Sequence, residues 1–232
     1  MVRPALITDQ IYHVYNRGVE KRNVFMENAD YLRMIHDLFE FNDIDPPPNL
    51  NYHTSRNPLE VGLPKIERRP RKRLVDLLAF CLIPNHYHLL LKQRVEGGIT
   101  LFMRKLGTGY TNFFNGKYQR VGPLFQGKFK AVLVSKERHF MYLPHYIHLN
   151  PLDLKFHEWR EKKIRNRKQA IQFLENYRWS SYLDYTGGKN FPSVTQRDFL
   201  KNYFKNAEHY RKDMQNWLEA MDLETLEGFT LE

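Results

Sequence analysis

"LVDLLAFCLIPNHYHLLLKQ", residues 74–93, consists of two apolar segments joined at Pro84 and Asn85. Each segment has the length and the apolar character of a buried strand. Proline followed by asparagine favours a tight turn between such segments. The stretch therefore predicts an antiparallel hairpin that lies centrally in a sheet.

The segments around this hairpin alternate between strand and helix patterns. Residues 11–18 are rich in β-forming side chains, and residues 28–41 have apolar side chains at helical spacing. After the hairpin, the pattern predicts a second helix over 99–120, one bent strand or two strands over 122–135, and a third helix over 136–150. This order is typical of an α+β fold with a mainly antiparallel central sheet and helices packed on it.

Two further segments depart from this regular pattern. Residues 44–73 are rich in proline and end in a basic run, so they are interpreted as a loop insertion inside a domain that spans residues 1–190. Short helical patterns at about 195–203 and 207–221 follow that domain. We interpret residues 191–232 as a small helical C-terminal appendage.

The composition favours a polyanionic partner. The chain has 36 Lys and Arg against 26 Asp and Glu, a formal charge of +10, and its aromatic residues can stack on unpaired bases. Charge that only aids solubility is the alternative. The single cysteine, Cys81, excludes an internal disulfide framework and fits a reducing cytoplasm. No apolar run approaches the roughly 18 residues of a membrane span, so we expect a cytoplasmic protein with no membrane partner.

Two histidines at the start of the second predicted strand have the spacing of metal ligands. Side chains at positions i and i+2 of a strand project from one face, so His86 and His88 converge while Tyr87 points to the other face. Imidazole nitrogens are common ligands of divalent metals. Two half-buried, hydrogen-bonded histidines are the alternative, and a metal site needs a third ligand from another element.

The third predicted helix offers candidates for completing such a site. Tyr146 and Asn150 are four residues apart and therefore lie on one face of the helix, with Tyr142 one turn earlier. An amide oxygen of Asn150 can complete a metal site while the hydroxyl of Tyr146 approaches a phosphate on the same cation. The alternative is an amphipathic helix whose tyrosines pack at the core edge and whose Asn150 caps the C-terminus. Pro144 predicts a kink in this helix.

Four sequence blocks occur together and in a family's order: CLIPNHYHLLLK (81–92), YTNFFNGKYQRVGPLFQGKFKAVLV (110–134), YIHLNPL (146–152) and YRWSSYLDY (177–185). In this combination the chain resembles the REP-associated tyrosine transposases, a branch of the single-tyrosine transposases in the HUH endonuclease superfamily. The resemblance extends from YHVYNRG, residues 12–18, to about Tyr185. It implies the ferredoxin-like α+β sandwich of that superfamily.

The resemblance also implies roles for individual residues. His86 and His88 match the family's metal-binding histidine motif, Tyr146 matches the nucleophilic tyrosine, and Asn150 matches the polar third ligand four positions later. The implied activity is that of a transposase: a Mg²⁺- or Mn²⁺-dependent single-stranded DNA endonuclease and strand transferase. It would form a 5′-phosphotyrosine intermediate at DNA hairpin ends. Hairpin-forming repeats would be the partner, with a nucleoid-associated location, and a monomer is favoured over a homodimer.

Basic side chains are the candidate DNA contacts, and they are Arg71, Lys72, Arg73, Arg104, Lys105, Lys117, Arg120, Lys128 and Lys130. Phe125 or Tyr118 is a candidate for stacking on a base. Tyr110 is a rival nucleophile, although its spacing matches a buried helical stripe. His13 is a candidate neighbour of the site, and His145 and His148 are expected on other faces of the Tyr146 helix.

Two other functions remain open from the sequence. The first is a catalytically silent DNA-binding regulator that retains the fold. The second is a metal-dependent phosphoester hydrolase in which the histidine pair activates water, so that turnover would survive loss of Tyr146.

Overall fold

The computed structural model describes residues 4–45, 70–161 and 163–220. Within these residues the strands are β1 (Ile11–Arg17), β2 (Val75–Ile83), β3 (His86–Gln93) and β4 (Lys130–Leu133). The α-helices are α1 (Asn28–Glu40), α2 (Gly98–Lys117), α3 (Glu137–Leu149), α4 (Arg167–Asn176), α5 (Tyr182–Tyr185), α6 (Asp198–Phe204) and α7 (Ala207–Ala220). Short 3-10 segments are Val19–Lys21, Asn150–Leu154 and His157–Glu161. No helix in this part of the chain is long and apolar enough to cross a membrane.

The four strands form one sheet in the order β2-β3-β1-β4, and all neighbours are antiparallel. The predicted hairpin is confirmed, because Ile83 pairs with His86 directly across the turn at Pro84 and Asn85. The predicted α+β fold with a mainly antiparallel sheet is confirmed as well. All nine residues of β2 are buried. This follows from helices covering both faces of the sheet, which leaves no solvent-facing side of the strand.

The two faces of the sheet carry different cores. One face contributes Tyr12, Val14, Tyr87 and Leu89 to a core that α1 and α2 cover. The other face contributes Cys81 and Leu90 to a second core with α3 and the C-terminal helices. The histidines of β1 and β3 share this second face, because their side chains alternate with those of the first core. Cys81 is fully buried and free, and burial raises its pKa, so it is an unreactive packing residue.

Asp30 joins the beginning of α1 to the end of α2. Its carboxylate accepts the backbone N–H groups of Met26 (2.8 Å) and Glu27 (3.2 Å), which satisfies donors at the helix N-terminus. The same carboxylate accepts the Lys117 ammonium (2.5 Å) and the Tyr118 hydroxyl (2.8 Å). One buried charge is therefore compensated by two helices at once.

The segment before α3 differs from its prediction. Of the predicted strand or strand pair over 122–135, only β4 is regular. Gly122 and Gly127 have φ values of 86° and 92°, a left-handed conformation that interrupts strand pairing. Helix α3, in contrast, continues through Pro144 to Leu149 and is capped at Asn150.

The ends of the predicted insertion meet beside α1. The N–H of Ile44 donates to the carbonyl of Lys72 at 2.9 Å, and the Arg71 guanidinium carbon lies 3.9 Å from the centre of the Phe39 ring. Residues 46–69 of the insertion lie outside the described residues, as do residues 221–232 of the predicted appendage. Helices α6 and α7 share a core with α3. The described part of that appendage therefore packs directly on the sheet domain.

Helices α1 and α2 approach closely at Gly109. A Cβ atom added at Gly109 would lie 2.6 Å from two atoms of the Phe41 ring, whereas nothing lies within 4 Å of one added at Gly107. Gly109→Ala should lower the free energy of unfolding by about 1–3 kcal/mol through overpacking. Gly107→Ala should raise it by about 0.5–1 kcal/mol through helix propensity. Urea unfolding of both variants tests this, and a stabilised Gly109→Ala protein would contradict the close packing.

Candidate active site

Strand β3 projects His86 and His88 from the same face of the sheet, as predicted. Their ring centres are 5.0 Å apart and their planes are inclined by 83°. His88 is fully buried, while His86 lies at the margin of the site with 6% exposure. The pair is therefore almost completely enclosed by protein.

His13 of β1 completes this histidine group. Its Nε2 lies 2.9 Å from Nδ1 of His88, and the two rings stack with centres 5.0 Å apart. A contact between two ring nitrogens requires one of them to carry the proton. If Nδ1 of His88 donates to His13, the Nε2 of His88 keeps its lone pair, which is the arrangement found in metal-binding histidines.

Helix α3 brings Tyr146 against the histidines. The centre of the Tyr146 ring is 5.9 Å from that of His88 and 6.4 Å from that of His13, and both contacts are nearly perpendicular. The Nδ2 of Asn150 donates to the Tyr146 carbonyl at 2.7 Å. Asn150 therefore caps the helix with its amide nitrogen and leaves its amide oxygen for another partner. The cap and the ligand interpretations of Asn150 are compatible.

Several buried polar atoms in this region have no hydrogen-bond partner among the described residues, and three of them belong to the predicted site residues. They are Nε2 of His88, Oδ1 of Asn150 and the hydroxyl of Tyr146. A buried polar atom without a partner costs about 1–3 kcal/mol, so such groups indicate a missing ligand or a functional role. Nδ1 of His86 lies 2.6 Å from Oδ1 of Asn85, an acceptor, so Nδ1 is assigned the proton and Nε2 the lone pair.

These donor atoms fit a divalent cation. The described residues contain no group of three or more His, Cys, Asp or Glu side chains that could hold a metal ion. A cation at this position would therefore need the amide oxygen of Asn150 in addition to His86 and His88. Imidazole nitrogen with amide oxygen is a donor set that several divalent metals accept.

Burial controls the protonation of the site. Burial, followed by the charge of Arg17, lowers the pKa of His86 to about 4. Burial also holds the pKa of His88 well below its usual value. Both imidazoles are therefore neutral at pH 7, the form that binds metal. Burial raises the pKa of Tyr146, and the positive charge of Arg160 opposes that increase.

Two arginines beside the site were missed by the sequence analysis. The Arg160 guanidinium carbon lies 5.7 Å from the centre of the Tyr146 ring. Arg17 is opposite His86 in the pairing of β1 with β3. Arg160 lies in the separate 3-10 segment His157–Glu161 after α3, so the periodicity of α3 does not relate it to Tyr146. Arg17 belongs to the predicted first strand, but its position depends on which strand β1 pairs with.

Many of the predicted DNA contacts have partners inside the protein. Lys117 pairs with Asp30 and Glu27, both at 2.5 Å. The other paired side chains are Lys105 with the Asp43 carbonyl, Arg120 with Asn115, Arg73 with Asp76 and Arg71 with the Phe39 carbonyl. Lys72, Arg104, Lys128 and Lys130 are exposed. The Nζ of Lys130 lies 5.9 Å from the ring centre of Tyr15, which contacts His88.

The three aromatic candidates all make contacts within the protein. The Tyr110 hydroxyl donates to the Val24 carbonyl at 2.5 Å, so the rival nucleophile is a buried core residue. Phe125 is buried against Tyr87, and the Tyr118 hydroxyl donates to Asp30.

His145 and His148 anchor the back of α3. Nδ1 of His148 lies 2.6 Å from the Tyr210 hydroxyl, and Nε2 lies 2.7 Å from the Ser181 hydroxyl. His145 stacks between Tyr210 and Trp217 of α7, with ring centres 4.7 Å and 4.9 Å away. Both histidines lie on other faces of the helix than Tyr146, as predicted, and both are buried. Helix α3 is therefore held between the sheet and α7.

The structure combines an antiparallel α+β fold with paired histidines on one face of the sheet and a tyrosine of α3 packed against them. The chain matches no protein-family model and no curated protein. It is similar to a solved structure described as a REP-associated tyrosine transposase bound to a REP hairpin. The two share 13% identity with a TM-score of 0.50, over 84% of this chain and 89% of that chain. At this identity the likeness shows a shared fold.

The buried histidines of α3 predict acid destabilisation. Burial lowers the pKa of His145 to about 4 from an ordinary value of 6.5, so the unfolded chain binds more protons between these values. The neutral His145 side chain makes its full contribution to the free energy of unfolding above about pH 6.5. This contribution is lost as the pH falls towards 4. Thermal unfolding from pH 7.5 to 4.5 should show a falling melting temperature.

His145→Gln should make this pH dependence shallower. His157→Gln, which removes an exposed histidine, should leave it unchanged. Equal slopes in both variants would contradict the assignment.

Proposed function

We propose that the protein is a metal-dependent single-stranded DNA endonuclease and strand transferase with Tyr146 as its nucleophile. One observation carries this proposal: the hydroxyl of Tyr146, Nε2 of His88 and Oδ1 of Asn150 are buried in one region without hydrogen-bond partners among the described residues. The fold similarity to a transposase bound to a hairpin supports the same function. Single-stranded DNA with hairpin-forming repeats is the proposed partner.

The proposed reaction transfers a phosphoryl group without net consumption of energy. His86, His88 and Asn150 would hold a Mg²⁺ or Mn²⁺ ion, which supplies Lewis-acid stabilisation of charge on a phosphate oxygen. The Tyr146 oxygen attacks phosphorus, the new O–P bond forms, and the bond to the 3′-oxygen breaks. The phenol gives up one proton and the departing 3′-oxygen takes up one, so the step balances. The products are a 5′-phosphotyrosine and a free 3′-hydroxyl. Attack by another 3′-hydroxyl reverses these bond changes and rejoins the strands.

The chain's own residues have separate tasks in this reaction. His13 would hold His88 in one tautomer, and the α3 backbone would hold Tyr146 and Asn150 one turn apart. The packing of α3 against α7 of the same chain supports action as a monomer. Tyr146 is fully buried, so DNA binding must open the site at its margin, where His86 and Arg160 lie.

The same burial favours a second candidate function, a DNA-binding regulator that does not cleave. In that case Tyr146 and the histidines would form part of the core. A metal-dependent hydrolase is the third possibility, and it differs by retaining turnover when Tyr146 is replaced.

Covalent capture of DNA separates these functions. Purified protein is mixed with labelled single-stranded hairpins and Mn²⁺, and a denaturation-resistant adduct is sought on a gel. We expect an adduct with wild-type protein that disappears in Tyr146→Phe and on chelation of the metal, because the phenol oxygen forms the covalent bond.

Tyr110→Phe is the matched control, since it also removes a buried tyrosine hydroxyl and should retain the adduct. Tight hairpin binding with no adduct would favour the regulator. Product release that persists in Tyr146→Phe would favour the hydrolase.

Metal affinity provides an independent prediction. Mn²⁺ binding, measured by electron paramagnetic resonance, should become too weak to detect in His88→Gln. His13→Gln should weaken Mn²⁺ binding by about 10–100-fold, because it removes the hydrogen-bond partner of a ligand. Equal Mn²⁺ affinity in wild type and both variants would exclude these histidines from metal binding.

A further inference from the structure

We propose that Arg17 and Arg160 together form a binding site for a phosphate group, one guanidinium coming from the sheet and the other from the segment after α3. This inference rests on the proposed function, because the phosphate in question is the one that Tyr146 would attack. It names phosphate as the group that the site recognises. The two residues that would bind this phosphate are not among the candidate metal ligands.

Arg17 enters the site from the end of β1. It is opposite His86 in the antiparallel pairing of β1 with β3, so the two side chains share one face of the sheet. Its Nε is buried and has no hydrogen-bond partner among the described residues. A buried guanidinium N–H without an acceptor is costly, and an anionic oxygen is the acceptor that a guanidinium binds most strongly.

Arg160 approaches from the opposite element and is held rigidly. The carboxylate of Asp153 accepts from its Nε at 3.0 Å and from one terminal nitrogen at 2.6 Å. The guanidinium carbon also lies 4.7 Å from the Trp159 ring centre and 5.7 Å from that of Tyr146. Two-point pairing and ring stacking fix the plane of the guanidinium beside the proposed nucleophile.

The electrostatics of the region favour an anion. Arg17 lies opposite His86 in the pairing of β1 with β3, and the Arg160 guanidinium carbon lies 5.7 Å from the centre of the Tyr146 ring, so two cationic side chains border the site. Asp153 compensates only one of these two charges. His86, His88 and Asn150 are neutral, so they would not reduce the charge of a bound cation. An incoming phosphate would therefore meet a positive site with oriented N–H donors.

The alternative is that the arginines are purely structural, with Arg160 serving only its contacts to Asp153 and Trp159. Binding of inorganic phosphate distinguishes the two, and ³¹P line broadening can measure it in the presence of EDTA without any DNA. We expect wild-type protein to bind phosphate, and Arg17→Gln and Arg160→Gln each to weaken binding about tenfold or more. Arg17→Lys and Arg160→Lys should keep part of the affinity, because they retain the charge.

Arg178→Gln is the matched control. The Arg178 guanidinium carbon lies 4.9 Å from the Trp179 ring centre, which reproduces the stacking of Arg160 on Trp159 away from the site. This variant should bind phosphate like the wild type. Thermal unfolding establishes which variants are folded. Where a glutamine variant does not fold, the phosphate affinity of the corresponding lysine variant is compared with that of the wild type.

Two results would overturn the inference: wild-type protein that does not broaden the phosphate resonance, or folded Arg17 and Arg160 variants with wild-type affinity for phosphate. The DNA adduct assay tests the proposed function independently of phosphate binding. An adduct with unchanged phosphate binding in the variants would preserve the proposed function and remove the arginine site. Arginine-dependent phosphate binding without any adduct would preserve the site and remove the strand-transfer chemistry.

Discussion

The antiparallel pairing of β1 with β3 is the contact on which the candidate site depends. Its register places Tyr15 opposite His88 and Arg17 opposite His86. A slip of one residue would turn every side chain of β1 to the other face of the sheet. The register is held because Tyr12 and Val14 must remain in the core under α1 and α2. Hydrophobic packing on one face therefore fixes the polar arrangement on the other.

Helix α3 is the second constraint, because it is packed on both sides. Tyr146 faces the histidines of the sheet, while His148 joins the helix to Tyr210 of α7 and to Ser181, which is itself hydrogen-bonded to Phe80 of β2. Such an arrangement keeps buried polar atoms in place although they lack partners. The surrounding apolar core offsets their cost. Rigid placement of this kind favours chemistry that needs a nucleophile at a defined position.

The net charge of +10 does not by itself show where on the protein a polyanion would bind. Several basic side chains, such as Lys117 with Asp30, already have acidic or carbonyl partners inside the protein. The positive charge near the histidines comes instead from Arg17 and Arg160. Local geometry therefore decides where a polyanion would bind, and total charge only indicates that one is favoured.

Local periodicity was sufficient to predict the hairpin, the convergence of His86 with His88, and the shared helix face of Tyr146 with Asn150. These predictions succeeded because strand and helix repeats determine which side chains share a face over a few residues. The same reasoning predicted too much strand before β4. Glycines with left-handed backbone at Gly122 and Gly127 interrupt the pairing there.

The amino-acid sequence by itself determined the β2–β3 hairpin, the helices α1 to α3 and the faces on which His86, His88, Tyr146 and Asn150 lie. Only the tertiary structure decided that His13 contacts His88, that Arg17 lies opposite His86, and that Arg160, held by Asp153, lies beside Tyr146. His13 is 75 positions from His88 in the chain. Such neighbours depend on which strand pairs with which and on how a separate segment packs, and no local repeat encodes either.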